Sequence, residues 1–141
     1  MTSKSRYITA SCVVVGLLLS GGALMAAVDF LGVDVKATLL NDGATVIVTG
    51  QARCTQGDTL NIATILSQTV KQGSLIGTGS SDTDVCTGQL QTWTATTTLI
   101  YPANGLWKKG PAGLTVGASS CPSGGGSCSD QQVVTTKVHI Q

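Results

Sequence analysis

The sequence has no glutamate, a single histidine at His139, three prolines, and only two Trp, two Tyr and one Phe among its 141 residues. Without glutamate, a pair of catalytic carboxylates would need two of the seven Asp brought together from separate loops. With one histidine, a Ser-His-Asp triad would have to run through His139, which ends an alternating stretch as an exposed or edge residue. The Ser-rich segments GTGSSD and GASSC also lack the spacing of a nucleophile elbow. Charged residues make up 11% of the chain and the formal net charge is +1, so no basic stripe is available for nucleic acid. The composition therefore argues against an enzyme and against a nucleic-acid partner, and it calls for no cofactor.

What remains is rich in Gly, Ser, Thr and Val, and 42% of it is hydrophobic. Helices lean on Glu, Lys, Leu and Ala, whereas Thr and Val suit a pleated, half-buried surface, so the balance favours strands. The length fits one domain with an appendage.

The appendage is the N-terminus. Lys4 and Arg6 precede an uncharged apolar run from Cys12 to Ala27, and small residues lie before Val28. This is the pattern of a secretory signal peptide over residues 1–27, with residues 28–141 as the exported domain. The alternative is an uncleaved anchor, since the run falls just short of the roughly 17 to 20 residues that span a bilayer. A membrane partner is expected only in that case. Cys12 opens the apolar run rather than following it, which argues against lipidation. Without residues 1–27 the charge is six Lys and Arg minus seven Asp, or −1.

Cys54, Cys86, Cys121 and Cys128 are then left, an even number in a small exported domain, and a disulfide framework is the expected use. Three pairings are possible. Spacing favours Cys54 with Cys86 and Cys121 with Cys128, because CPSGGGSC is a flexible loop that easily closes on itself. In the chain-entropy description the longer bridge is worth about 3.7 kcal/mol and the shorter about 2.5 kcal/mol. A zinc site is disfavoured, because the spacings contain no C-x2-C or C-x4-C knuckle.

Alternation runs through the rest. Val33, Val35, Ala37 and Leu39 share one phase, and beyond the turn signal NDG the residues Val46, Val48, Gly50, Ala52 and Cys54 share another. TLNIATILSQTV places Leu60, Ile62, Thr64 and Leu66 on one face, although its length also permits a short helix. Trp93, Ala95 and Thr97 are in phase, and LTVGASSC and QQVVTTKVHI supply the last strands. About seven short strands, divided by turn signals, predict an all-β antiparallel sandwich.

The order VTGQARCTQGDT, VCTGQLQTW, KKGPAGLTVGASSC and VVTTKVHIQ resembles small immunoglobulin-like β-sandwich domains from secreted proteins of actinobacteria and related Gram-positive lineages, families of unknown function. The resemblance implies that Cys54 and Cys86 are partners and that Trp93 is a core residue, and it brings no catalytic residues. Trp93 lies seven residues after Cys86, not between the paired cysteines as in antibody domains. A narrower likeness, of ASSCPSGGGSCSDQQVV to the disulfide loop of neocarzinostatin-type apoproteins, implies a second reading as a small-ligand carrier with a cleft between sheets.

Two surface features are candidates for function. Trp107, Lys108 and Lys109 in NGLWKKGP set an aromatic beside two cations in a loop, a group suited to a sugar, a cell wall or a membrane surface; the alternative is a tryptophan that caps the end of the sandwich with solvated lysines beside it. Asp82 and Asp84 in SSDTD are weak candidates for Ca²⁺, lacking the Gly and the distal Glu of a full calcium loop. The expected function is a secreted, structural or adhesive module acting through its end loops on a cell-wall or extracellular ligand.

Overall fold

The computed structural model describes residues 26–101 and 105–141. The expected signal peptide lies outside the described residues, apart from its last two positions. Among the described residues nine strands form: β1 (Val28–Val33), β2 (Lys36–Leu39), β3 (Thr45–Cys54), β4 (Thr59–Val70), β5 (Gly73–Ser81), β6 (Asp84–Val85), β7 (Gln91–Leu99), β8 (Gly110–Cys121) and β9 (Gln132–Ile140). TLNIATILSQTV is a single twelve-residue strand, because its alternate residues from Leu60 to Gln68 are all buried, a period of two that a helix cannot satisfy.

The expected open sandwich is corrected to a closed barrel. Neighbouring strands run β3, β2, β9, β8, β4, β5, β7 and back to β3, a ring of seven. Eight register pairs from Thr45↔Thr98 to Ala52↔Gln91 join β3 to β7, and β5 pairs with β7 from Gly77↔Leu99 to Ser81↔Ala95. These pairings leave no gap between two sheets. The last joint is short: β2 and β9 run parallel and pair only at Lys36↔His139 and Ala37↔Ile140. Backbone N–H groups of His139 and Gln141 donate to the carbonyls of Val35 and Ala37 at 2.7 and 2.9 Å, reinforcing that latch.

The latch explains one departure from the sequence pattern. Val35 is in phase with Val33, Ala37 and Leu39 along the chain, yet it is 65% exposed. The chain bends at Asp34 and Val35, beyond which β2 lies between β3 and β9, so the alternation restarts in β2 with Ala37 inward. Asp34 fixes the bend by donating its N–H to the Thr49 carbonyl at 2.9 Å and accepting from the Thr49 hydroxyl through its carboxylate.

The interior is filled. Val46, Val48, Ala52 and Cys54 of β3 face Trp93 and Ala95 of β7 and Leu60, Leu66, Leu114 and Val116 of the opposite wall, all at 2% exposure or less. Thr64 and Thr97 also point inward and satisfy one another, hydroxyl to hydroxyl at 2.7 Å. Gly50 is required at its position in β3: a Cβ there would lie 2.1 Å from the Gly32 carbonyl oxygen and 2.5 Å from the Trp93 indole. The missing side chain is what lets β1 and the indole share that space.

Among the described residues there are two disulfides. Cys54–Cys86 ties the end of β3 to the segment after β6, with Cα atoms 5.5 Å apart, and Cys121–Cys128 closes the loop between β8 and β9. The longer bridge is buried and flanked by backbone bonds, from Gly57 N–H to the Cys86 carbonyl and from Cys86 N–H to the Asp58 carbonyl, both 2.8 Å. Disulfides of this kind point to an extracellular protein, folded in an oxidising compartment.

Candidate functional site

The strand directions sort the loops into two mouths. Residues 40–45, 70–73, 99–101 and 105–110 gather at one, where the ends of β4 and β7 meet the starts of β3, β5 and β8. Residues 54–59, 81–91 and 121–132 gather at the other, which also holds both disulfides and the start of β1, since Val28 pairs with Cys54.

Trp107 plugs the first mouth, packed as a cap on the end of the barrel rather than displayed. It is 3% exposed, and its ring sits where Gly77 of β5 leaves room: a Cβ on Gly77 would lie 2.7 Å from the indole. Its indole N–H donates to the Ala44 carbonyl at 3.0 Å and its backbone N–H to the Gly43 carbonyl at 2.9 Å. No ring face is left for a sugar to stack on.

Lys108 and Lys109, by contrast, are exposed. The backbone of Lys108 is held by Gln68 of β4. The Gln68 side chain is 6% exposed; its Nε2 donates to the Lys108 carbonyl at 2.7 Å and its Oε1 accepts from the Lys108 N–H at 2.9 Å. One amide thus replaces a strand partner for Lys108. The signal was available: Gln68 continues the inward phase of Leu60, Ile62, Thr64 and Leu66, and an inward glutamine needs two backbone groups to satisfy it. With Lys71 in the β4–β5 turn, Lys108 and Lys109 border a shallow depression of about 370 Å³ that Gln68 and Pro111 also line. Leu106 at 49% and Tyr101 at 65% exposure lie on the same loop.

The neighbouring β2–β3 turn is rigid as well. Asp42 accepts from the N–H groups of Ala44 and Thr45 at 3.0 and 2.9 Å and from the Thr45 hydroxyl at 2.7 Å, with Gly43 at φ 70°. The Thr45 hydroxyl bond, aided by the two backbone bonds, holds the Asp42 carboxyl below its ordinary value of 3.8. A lowered folded pKa stabilises the protein fully above the unfolded value, and the contribution is lost as pH falls through the folded one. Asp42→Ala is therefore expected to lower the melting temperature at pH 7, and the gap from the parent to shrink below about pH 3.8 as the carboxylate protonates. Thermal melts of both proteins across that range check it.

Asp82 and Asp84 lie at the opposite mouth, Asp84 within β6. Among the described residues no group of three or more His, Cys, Asp or Glu stands close enough to hold a metal, so these two carboxylates gain no third protein ligand of that kind. His139 is exposed in the β2–β9 latch, opposite Lys36.

Charge separates between the mouths. Of the six Lys and Arg in residues 26–141, Lys71, Lys108 and Lys109 rim the first mouth, and Lys36 and Lys137 flank it on β2 and β9. Arg53, the sixth, is paired with Asp29 at 2.8 Å near the second mouth. Asp58, Asp82, Asp84 and Asp130 lie in the loops of that second mouth, while the first has Asp42 alone.

No family model and no curated protein matches the chain. Among solved structures it is similar to the crystal structure of AggA, the major subunit of aggregative adherence fimbriae type I from Escherichia coli, with a TM-score of 0.45 and 10% sequence identity, over 82% of this chain and 95% of that chain. Likeness at this level assigns no function.

Proposed function

We propose that this protein is an exported, non-enzymatic structural or adhesive module that works through the loops of its basic mouth. The observation that supports this most is the combination of a filled barrel with a locked, lysine-bearing mouth. Trp107 and Gln68 immobilise residues 105–109, so Lys108 and Lys109 are displayed without the entropy cost of ordering a loop on binding. β1 starts at the opposite mouth, where Val28 pairs with Cys54, so the basic mouth lies at the other end of the barrel from Val28. The carrier reading loses its support, because the space between the walls is occupied by Trp93, Trp107 and the aliphatic core.

The triple variant Lys71→Glu, Lys108→Glu, Lys109→Glu tests the proposal. All three side chains are exposed, and surface changes away from packed features shift stability by about 0.5 kcal/mol or less. The variant is expected to be exported and to melt with the parent, yet to lose attachment to the producing cells or their matrix in a fractionation assay. Equal attachment of parent and variant would refute the role of the basic mouth. A small molecule co-purifying in native mass spectra of the exported protein would restore the carrier reading.

A further inference from the structure

The two mouths are complementary, and this points to the partner. The basic mouth sets Lys71, Lys108 and Lys109 beside exposed Leu106 and Tyr101. The other mouth carries Asp82 and Asp130, both exposed, with Val85 at 66% and Leu90 at 51% exposure in the same set of loops. Each mouth thus combines apolar side chains with charges mainly of one sign, the makeup of an interface with an apolar centre and a polar rim. The signs are opposite. The acidic mouth is also concave where Asp130 borders a hollow of about 510 Å³ with Pro122 and the glycines of the Cys121–Cys128 loop. Over residues 26–141 the net charge is six minus seven, or −1, so two copies approach with little overall repulsion while their ends attract.

We infer that the partner of the basic mouth is the acidic mouth of a second copy of this chain, so that barrels associate head to tail. This rests on the basic mouth being the working surface. A head-to-tail contact uses different patches on its two sides and leaves one of each free at the ends, so it propagates into a series unless the rotation closes a ring.

Sedimentation velocity of the exported, processed protein tests this, in salt of ~10 mM and ~1 M, where the screening length falls from roughly 30 Å to roughly 3 Å. The parent is expected to form concentration-dependent species larger than dimers in low salt and to return to monomer in high salt. Lys108→Glu with Lys109→Glu, and separately Asp82→Lys with Asp130→Lys, should each give monomers alone. Mixed in equal amounts they should associate again, because the intact acidic mouth of the lysine variant meets the intact basic mouth of the aspartate variant and the two reversed mouths are again opposite in sign. A parent that stays monomeric in low salt overturns the inference. If the lysine variant still loses cell attachment, the basic mouth then serves a different, anionic partner and the functional proposal stands without self-association. Association that persists in both variants also overturns the inference, by placing the contact elsewhere.

Discussion

Trp107→Ala is expected to cost about 3 to 5 kcal/mol, the usual range for removing a fully packed tryptophan. Three losses coincide there. The indole volume against Gly77 becomes a cavity, the Ala44 carbonyl loses its indole donor, and the segment from 105 to 109 loses the wedge that seats it. Trp107→Phe should recover most of the loss, since it restores volume and forgoes one hydrogen bond worth about 1 kcal/mol. Urea unfolding of the three proteins measures both steps. An alanine variant within about 1 kcal/mol of the parent would mean that Trp107 does not plug the barrel.

The second large effect belongs to the buried disulfide. Cys54→Ala with Cys86→Ala is expected to remove about 2 to 5 kcal/mol, with the chain-entropy value of about 3.7 kcal/mol in the middle. The backbone bonds on either side, Gly57 to Cys86 and Cys86 to Asp58, hold part of the geometry without the bridge, which argues for a folded but weakened variant. Opening Cys121–Cys128 should cost less, about 2.5 kcal/mol at most, because the loop is short and its core-facing neighbour Ser120 is still held by Ser129. Equilibrium unfolding of both double variants ranks them. A larger loss from the short bridge would make the β8–β9 loop, rather than the end of β3, the stronger covalent tie of the barrel.

Much of the fold was legible because a strand declares its two faces. The residues from Val46 to Cys54 and from Trp93 to Thr97 alternate cleanly, and each inward position is buried. Even the inward Thr64 and Thr97 could be read, though not that they would satisfy each other across 33 residues. Period two says which way a side chain points and nothing about which strand lies alongside. The closure of β3 on β7 and the two-residue latch of β2 on β9 were therefore invisible, and a sandwich and a barrel share the same alternation.

The site was less legible for the same reason. Trp107 sits in a loop beside lysines, a setting that allows either display or packing, and the space it fills is created by Gly77, a residue on another strand. The amide that clamps Lys108 comes from β4, 40 residues away. The two lysines were legible from the turn-flanked stretch NGLWKKGP, whereas their rigid display depends on contacts between distant segments. The separation of charge between mouths likewise appears only once the strand directions are known.

Native-state hydrogen exchange at the Trp107 and Lys108 amides tests most directly whether a locked surface, rather than an opening into the barrel, forms the basic mouth. Trp107 N–H is bonded to Gly43 and Lys108 N–H to Gln68, so both are predicted to exchange with protection approaching that of β4 and β8. Exchange at the rate of a free loop would contradict the account, because an unplugged mouth gives access to the interior and makes the protein a carrier.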